Sequence, residues 1–236
     1  MNKDKQNEIS FDDYVDTYKK EIQNSIDFIG QDVDFFIEIK AKLLLELAKR
    51  FIGRLDSITA LDVGSGVGLV DKYIAARLKS LTGVDIEEGV VEKAKINNPG
   101  ISYMLYNGKS LPFDDNSFDL TFAINVMHHV PVDHWQNFCN EMHRVLKPGG
   151  IAAVFEHNPA NPLTRKVVRD CEFDRDAVLL PHKKIKQLFV RSGLKIIYDS
   201  YIIFFPFSSR FFRSIEKTLK WLPLGAQQYV AAKKTV

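Results

Sequence analysis

The stretch LDVGSGVG, at residues 61–68, decides the fold that this chain adopts. Three glycines at alternate positions follow an apolar run, a pattern that predicts a buried strand turning tightly into a helix. Glycine suits such a turn because it lacks the side chain that restricts the backbone of other residues. In an open α/β sheet, ligands bind beyond the carboxyl ends of the strands. The stretch therefore predicts a ligand site at the end of the first strand.

Short apolar runs and helical patterns alternate along the rest of the chain. The apolar runs predict seven buried strands, at residues 58–63, 81–85, 101–105, 118–124, 150–155, 194–204 and 227–233. The helical patterns cover residues 10–28, 34–53, 133–146 and 209–221, and further helices are predicted within 161–193, around a loop at 174–181. The sequence KPGG at 147–150 predicts the turn that ends one helix and starts the fifth strand.

This alternation predicts an α/β fold with a doubly wound, mainly parallel seven-stranded sheet. Strands separated by helices imply right-handed crossovers, which place successive strands parallel to one another. The short turn before residue 227 lets the final strand pair antiparallel. N-terminal helices precede the sheet, and a helical insertion follows strand five.

The composition favours a soluble protein with one hydrophobic core. The 236 residues are 45% hydrophobic, and 32 basic against 30 acidic residues leave a net charge of +2. A charge so close to neutral predicts no nucleic-acid partner. The two cysteines have no pairing or metal-ligand spacing, the N-terminus is polar, and no apolar run approaches the roughly 18 residues that span a bilayer. We expect a single domain in the reducing cytoplasm.

Asp62, two residues before the first glycine, restricts the ligand at the glycine turn. A dinucleotide fingerprint needs its third glycine at position 69, where this chain has Leu69. A carboxylate at Asp62 also repels a diphosphate, whereas it attracts a cationic ligand. S-adenosylmethionine has no phosphate and carries a sulfonium and an ammonium group. The turn therefore favours S-adenosylmethionine, and a nicotinamide-dependent oxidoreductase is the weaker interpretation.

Asp85 follows the second predicted strand in the segment VDIEE. A carboxylate at this strand end can accept hydrogen bonds from both ribose hydroxyls of a nucleoside. The alternative is that Asp85 only caps the helix that follows, a task for which aspartate is well suited. Together with Asp62 and the glycine turn, Asp85 predicts a nucleoside site at this edge of the sheet.

Four segments, in this order, resemble the class I S-adenosylmethionine-dependent methyltransferases from about residue 58 to residue 155. LDVGSGVG resembles the first motif of that family, and GVDIEEGVVEKAK resembles its acidic second strand end with the following helix. LPFDDNSFDLTFAINVMHHV resembles the segment through the fourth strand, and LKPGGIAAVFEH resembles the motif of the fifth. The resemblance implies a Rossmann-like fold, with S-adenosylmethionine as cofactor and S-adenosylhomocysteine as product.

The resemblance also implies roles for individual residues. Asp62 would lie near the amino-acid end of the cofactor, Asp85 would bind the ribose, and Ile86 would cover the adenine. Where the family often has an acidic residue for the adenine amino group, this chain has Asn107, whose amide oxygen still accepts a hydrogen bond. Tyr18 lies on an N-terminal helix that either covers the cofactor as a lid or simply packs onto the domain. The implied cofactor-binding residues are Tyr18, Asp62, Gly64, Ser65, Gly66, Asp85, Ile86, Asn107, Gly108 and Asn125.

Polar residues after strands four and five are the catalytic candidates on the methyl-accepting side. His129 follows strand four, and Glu156 and His157 end strand five. His157 is the preferred general base, because the ordinary pKa of histidine suits neutral pH. The alternatives are structural: His129 hydrogen-bonds at a helix start, and Glu156, His157 and Asn158 satisfy backbone groups in the turn before Pro159.

Other charged and polar residues carry weaker expectations. Histidines cluster at positions 128, 129 and 134, but without a nearby cysteine or an i, i+4 pair, so we expect no metal site. Lys40 and Arg165 are candidates to meet an anionic acceptor, and the alternative is that both are solvated.

Residues 201–225 are unusually aromatic, with basic residues interleaved. Part of this segment belongs to the core around strand six. The remainder has three alternatives: an apolar acceptor pocket, a dimer face, or an interfacial helix at a membrane surface. The expected partner is therefore a small-molecule or lipid-like acceptor. Contact with a membrane surface is an open alternative, as is the choice between monomer and homodimer.

These features predict an S-adenosylmethionine-dependent methyltransferase that modifies an O, N or C atom of a small or amphipathic acceptor. The alternative is a non-catalytic regulatory or scaffold protein that binds S-adenosylmethionine, because methyl transfer demands no single invariant catalytic residue. The single domain over 1–236 is expected to divide into an N-terminal helical lid at 1–53, a cofactor-binding core at 58–156, and an acceptor-side insertion with the last strands at 157–236.

Overall fold

One seven-stranded sheet organises the protein. The computed structural model describes residues 23, 24, 26, 27, 30–207 and 209–235, apart from the side chains of Arg210, Arg213 and Lys217. The strands are β1 (Thr59–Val63), β2 (Ser80–Asp85), β3 (Ser102–Leu105), β4 (Phe118–Ile124), β5 (Leu146–His157), β6 (Leu194–Ile202) and β7 (Gln227–Lys234). Their order in the sheet is β3-β2-β1-β4-β5-β7-β6.

Seven α-helices accompany the strands within the described residues. They are α1 (Val33–Phe51), α2 (Asp71–Ile74), α3 (Glu88–Asn97), α4 (Trp135–Val145), α5 (Pro162–Asp170), α6 (His182–Arg191) and α7 (Arg210–Leu219). The helix predicted over residues 10–28 falls mostly outside the described residues, and Tyr18 falls entirely outside them. Across the part of the chain that the structure describes, no helix is both long enough and apolar enough to cross a bilayer.

The strand pairing confirms the predicted fold class. β1 pairs in parallel with β2 and β4, β2 with β3, and β4 with β5. β7 runs antiparallel to both of its neighbours, β5 and β6. The strand order reverses between β1 and β4, because the chain first builds outward to β3 and then returns to the other side of β1. In such sheets the crevice at this reversal is where ligands bind.

The junction between α4 and β5 differs from the prediction. The sequence KPGG at 147–150 reads locally as a turn, but β5 already begins at Leu146, and its register against β4 shifts before Ile151. The intervening residues therefore form an irregularity within the strand, as a bulge does. A side chain at Gly150 would lie 2.8 Å from the carbonyl oxygen of Asp119, so the close approach of the two strands requires glycine there.

Helices cover both faces of the sheet and hold the strand ends in place. One buried cluster, which includes Trp135, Phe189 and Val154, packs α4 and α6 against the first face. Another, which includes Leu44 and Phe155, packs α1 against the opposite face. Successive residues of a strand point to opposite faces, so the neighbours Val154 and Phe155 serve different clusters. Since both faces are packed, the carboxyl ends of β1, β2, β4 and β5 form a rigid base for a site.

Candidate active site

The glycine turn begins where β1 ends and is tied to the neighbouring strand. The backbone N–H groups of Gly64 and Ser65 both donate to the carbonyl oxygen of Val84, at 2.8 and 3.0 Å. Gly64 has a φ of 80°, and a side chain there would approach Val126 to 2.5 Å. Gly66 also has a positive φ, 53°, but a side chain there would meet open space. The turn is therefore packed on one side and open on the other, where a ligand can approach the backbone.

The carboxylate of Asp85 braces the glycine turn from the end of β2. Its Oδ2 accepts a hydrogen bond from the backbone N–H of Gly66 at 2.9 Å. Its Oδ1 accepts from the N–H groups of Ile86 and Glu87 at 2.7 and 3.2 Å. Both N–H groups precede α3, whose N-cap is Glu87, so Asp85 does not cap that helix. A carboxylate has about four lone-pair sites, so one is free here, and the long 3.2 Å bond from the Glu87 N–H group can give up a second site to a ligand donor.

Beyond Asp85, Ile86 and Gly108 form an apolar edge. Ile86 is 60% exposed, an uncommon state for a large aliphatic side chain, and a side chain at Gly108 would lie 3.4 Å from it. An exposed aliphatic side chain at this position is consistent with the prediction that Ile86 covers one face of the adenine ring. The two residues therefore extend the candidate site along the sheet edge, away from the glycine turn.

Asn107 bonds within its own loop in the ligand-free structure, which weighs against the acceptor role predicted for it. Its amide oxygen accepts hydrogen bonds from the backbone N–H groups of Lys109 and Ser110, both at 2.9 Å. An amide oxygen has two lone pairs, so neither is left for the amino group of an adenine. Asn107 instead shapes the loop that follows β3.

Asp62 lies buried beneath the glycine turn, close to a second buried carboxyl, that of Asp71. Burial and the neighbouring Asp71 raise the pKa of Asp62 well above its ordinary range. Asp71 accepts a hydrogen bond from the Tyr103 hydroxyl at 2.7 Å, and burial raises the pKa of Asp71 to about 6. Burial and Asp71 therefore both oppose the negative charge expected at Asp62 in the ligand-free protein. A cation beside the pair would favour its ionised form.

Several buried polar atoms near the turn lack hydrogen-bond partners among the described residues. They include Oδ1 of Asp62, the hydroxyl oxygen of Ser65 and the amide oxygen of Asn125, and all three residues line the same pocket. Asn125 also has a left-handed backbone, with a φ of 58°, directly after β4. Buried polar groups are nearly always hydrogen-bonded, and backbone strain clusters at ligand sites. These features indicate a polar ligand group at the ends of β1 and β4.

Glu156 is fully buried at the end of β5 and bonds to the turn that follows β4. Its Oε1 accepts from the backbone N–H groups of Val126 and Met127 at 3.1 and 2.7 Å, and its Oε2 accepts from Nδ1 of His128 at 2.6 Å. Burial alone would raise the pKa of Glu156, but His128 outweighs burial and lowers it. Glu156 does not line the pocket; it lies behind the pocket wall, and its predicted catalytic role stays a prediction.

The two residues after Glu156, His157 and Asn158, make different contacts. His157 lines the pocket, and its Nε2 lies 3.4 Å from the amide nitrogen of Asn125. Burial and then the charge of His128 lower the pKa of His157 to about 4, so the pKa near neutrality expected from the sequence is wrong. Asn158 donates from its amide nitrogen to the carbonyl oxygen of Gly225 at 2.7 Å, which is the structural role given as its alternative.

His128, His129 and Asp174 meet beside His157. Oδ1 of Asp174 lies 3.5 Å from Nε2 of His128 and 3.3 Å from Nε2 of His129. Burial lowers the pKa of His128, but the carboxylates of Glu156 and Asp174 outweigh burial and raise it to about 10. Burial and the charge of His128 lower the pKa of His129. Asp174 has no sequence signal, because it lies in the loop between α5 and α6.

Lys40 on α1 has two alternatives from the sequence, contact with an anionic acceptor or exposure to solvent. Lys40 is only 6% exposed and lines the pocket, so the alternative that it is solvated is wrong. Arg165 is exposed, as its solvated alternative requires. Burial lowers the pKa of Lys40 to about 8, although the charge of Glu156 opposes this. A signal was present, because Lys40 interrupts the apolar stripe of α1 between Ile37 and Leu44 at helical spacing.

A pocket of about 290 Å³ joins the glycine turn to the histidine cluster. The remaining wall is apolar and comes from α1, α5 and the segment after β6. Its members include Val33, Phe36, Ile37, Leu163, Val167, Ile203, Phe204 and Pro206. The aromatic segment 201–225 thus supplies part of the pocket, whereas its Phe211 and Trp221 are 68% and 75% exposed.

Comparisons with known proteins identify the class of this fold and site. Residues 61–154 match the family model of a methyltransferase domain. An uncharacterised methyltransferase of Synechocystis sp. is 34% identical over 102 residues, which cover 43% of this chain and 48% of that protein. A phthiotriol/phenolphthiotriol dimycocerosates methyltransferase of Mycobacterium tuberculosis is 32% identical over 107 residues, 44% of this chain and 39% of that protein. The matched stretch spans less than half the length of these relatives.

A solved S-adenosylmethionine-dependent methyltransferase of Thermotoga maritima has the same fold. The TM-score is 0.66 at 18% identity, and the alignment covers 95% of this chain and 98% of that one. Residues 61–154 therefore form a methyltransferase domain, and the fold of the described chain is the Rossmann-like fold of the S-adenosylmethionine-dependent methyltransferases. The cofactor of this family is S-adenosylmethionine.

Proposed function

We propose that this chain transfers the methyl group of S-adenosylmethionine to an oxygen, nitrogen or carbon atom of a small amphipathic acceptor. The pocket carries this proposal, because one continuous surface runs from the glycine turn to the histidine cluster and onto the apolar residues of α1 and α5. Methyl transfer needs the donor and the acceptor in contact and in line. A single pocket with a polar end and an apolar wall can hold the donor and the acceptor side by side.

The cofactor is assigned to the ends of β1 and β4, which line the pocket, and to the end of β2, which lies beside the glycine turn but outside the pocket lining. Asp62 would face the ammonium group, and Asp85 the ribose hydroxyls. Ser65 and Asn125, whose buried oxygen atoms have unmet hydrogen bonds among the described residues, would bind the amino-acid portion. Ile86 would cover the adenine. The bound cofactor supplies an electrophilic methyl group, and the protein supplies binding and orientation.

The acceptor end is assigned to the histidine cluster and the apolar wall. His157 and His129 line the pocket and are its polar residues at this end together with Asp174, so the polar, reacting end of the acceptor would lie beside them. Its apolar part would lie against α1, α5 and Phe204. We assign His157 a contact with the acceptor rather than a general-base role, because a pKa of about 4 makes it a weak base. The relatives support methyl transfer but do not identify the acceptor, since the mycobacterial protein is named for its own substrates.

The proposal is tested by incubating the protein with methyl-labelled S-adenosylmethionine and separated fractions of cell metabolites and lipids. Label is expected to enter an acceptor in one fraction, with S-adenosylhomocysteine formed in proportion. A protein that binds S-adenosylhomocysteine but forms none with any fraction would support the non-catalytic alternative. Binding of NAD in place of S-adenosylhomocysteine would contradict the assignment of the cofactor end.

Val167→Phe is expected to raise the KM for the acceptor about ten-fold or more. Val167 is half-buried on α5 and lines the apolar wall, so a larger ring there takes up acceptor space. Overfilling a packed site costs about 1–3 kcal/mol. The affinity for S-adenosylhomocysteine, measured by calorimetry, is expected to stay within about two-fold. Val190→Phe, at a 59% exposed position on α6, is the matched control. Equal losses of acceptor and cofactor binding would argue against separate ends of the pocket.

Binding of S-adenosylhomocysteine is expected to release a proton and to weaken as the pH falls. Burial and Asp71 raise the pKa of Asp62 in the free protein, and a ligand ammonium group favours its ionised form. Lowering the pH through the range in which this pair titrates, with Asp71 at about 6, therefore opposes binding. Asp85 and Tyr103 also face Asp62 and Asp71. The charge of Asp85 raises the pKa of Asp62 further, and the Tyr103 hydroxyl donates to Asp71, so neither group reverses the expected direction of the pH dependence.

Calorimetry in two buffers of different ionisation enthalpy measures the number of protons released. Asp62→Asn is the control, because it keeps the size of the side chain and removes the titrating group. We expect this variant to bind more weakly and with little pH dependence. If the wild-type affinity were constant between about pH 5.5 and 7.5, Asp62 would not lie beside the ammonium group.

A further inference from the structure

Three potential metal ligands converge at the acceptor end of the pocket. They are His128, His157 and Asp174, and one ligand atom of each lies within 4.8 Å of the others. All three residues line the pocket, so the cluster is reached from solvent through it. Two imidazoles and one carboxylate form a donor set that binds divalent transition metals with positions left open.

We propose that His128, His157 and Asp174 bind one divalent metal ion of the zinc type, with open coordination positions towards the pocket. Metal–ligand distances of about 2.1 Å place neighbouring ligand atoms roughly 3.0–3.4 Å apart. Nε2 of His128 and Oδ1 of Asp174 are already 3.5 Å apart. A ring nitrogen of His157 lies at most 4.8 Å from the other two ligand atoms, so His157 must move closer to bind the same ion. Nε2 of His129 lies 3.3 Å from Oδ1 of Asp174 and is a further potential ligand.

The hydrogen bond from His128 to Glu156 supports this site. Nδ1 of His128 donates to Oε2 of Glu156 at 2.6 Å, which directs Nε2 of the same ring towards Asp174. Metal-binding histidines almost always donate their second ring N–H to a carboxylate or carbonyl in this way. With a neutral ring, the Nε2 lone pair and the Asp174 carboxylate would face each other without a hydrogen between them. A metal ion between the two atoms satisfies both.

The local charge also favours a cation. Glu156 and Asp174 contribute two negative charges and Lys40 one positive charge, and a metal ion would take the place of the Nε2 proton that His128 otherwise holds between the two carboxylates. The site was not predictable from the sequence, because its ligands come from three separate segments of the chain. His134, one of the three histidines that cluster in the sequence, is not part of this group of ligands and lies 3.9 Å from Asp133.

A metal ion at this position would bind an oxygen atom of the acceptor at its open positions and hold the acceptor for transfer. This role rests on the proposed methyl transfer, whereas the binding of the ion does not. The two are therefore tested separately, and the metal site is tested with no cofactor or acceptor present.

The test is a titration of the chelator-treated, dialysed 236-residue chain with Zn²⁺ by calorimetry and with Co²⁺ by visible absorption. We expect one equivalent of each ion to bind with a micromolar or lower Kd, and the Co²⁺ spectrum to show nitrogen and oxygen ligands. Asp174→Asn and His157→Gln are each expected to weaken binding about ten-fold or more. His134→Gln is the matched control and is expected to bind like the wild type. Circular dichroism checks the fold, and Asp174→Asn carries the test if His157→Gln does not fold.

A wild-type chain that binds no stoichiometric ion would overturn the proposal, and so would an ion held equally well by Asp174→Asn. The cluster would then be an imidazolium at His128 between the carboxylates of Glu156 and Asp174. Stoichiometric ion binding that depends on Asp174, in a chain that transfers no methyl group, would support the metal site while contradicting the proposed function.

Discussion

Asp85→Ala is expected to lower the affinity for S-adenosylhomocysteine about 100-fold or more. The Asp85 carboxylate is the proposed acceptor for both ribose hydroxyls at the end of β2. Hydrogen bonds to a charged group contribute roughly 1.5–3 kcal/mol each, so the loss of two costs at least about 3 kcal/mol of binding free energy. The substitution also removes the acceptor of the Gly66 N–H group and so loosens the glycine turn. Calorimetric titration measures the affinity directly.

Two further variants separate these contributions. Asp85→Asn keeps an oxygen for the Gly66 N–H group but removes the charge, and its affinity is expected to lie between those of the wild type and Asp85→Ala. Asp56→Ala removes an exposed carboxylate before the start of β1, where Asp56 pairs with Arg54, and is expected to bind like the wild type. If Asp85→Ala bound the ligand normally, Asp85 would serve only as a brace for the backbone ahead of α3.

Glu156→Ala is expected to lower the free energy of unfolding by about 3–5 kcal/mol. The change leaves the buried N–H groups of Val126 and Met127 without their acceptor and His128 without its buried partner. Removing one member of a buried ion pair has this cost, because the remaining charge stays out of water. For a chain of this length, the melting temperature is expected to fall by roughly 6–20 °C. Thermal unfolding followed by circular dichroism gives the shift.

The controls for Glu156 test burial and charge separately. Glu156→Gln keeps an acceptor for the two backbone N–H groups and loses the charge, so a smaller fall is expected. Glu92→Ala breaks an exposed pair with Lys95 and is expected to change stability by less than about 0.5 kcal/mol. A Glu156→Ala protein as stable as Glu92→Ala would show that the turn after β4 is held by other contacts.

The sheet was predictable from the sequence because each strand carries its own signal. β4 extends from Phe118 to Ile124 as predicted, since a buried strand reads as a bounded apolar run. The start of β5 was not predictable in this way. KPGG at 147–150 has the local chemistry of a turn, and only its pairing against β4 shows that the chain continues as an irregular strand.

The candidate site was predictable where a residue's role depends on its strand end, and less so where it depends on distant partners. Asp85 falls at the expected place, whereas the protonation of Asp62 depends on burial beside Asp71. Glu156 and His157 are adjacent in a strand and so point to opposite sides, but alternation alone does not say which side faces the pocket. Asp174 comes from a loop without periodicity, and its partners lie more than forty residues earlier in the chain.

The position of β7 has a consequence for how the protein is made. β7 is the last strand in chain order, yet it lies inside the sheet, and β6 joins the sheet only through it. While the ribosome is still producing residues before 227, β6 has no strand to pair with and the edge of β5 is open. Open edges attract other strands, so this interval is the one most exposed to misassembly. The pocket wall that contains Ile203 and Gln227 closes only when this final strand inserts.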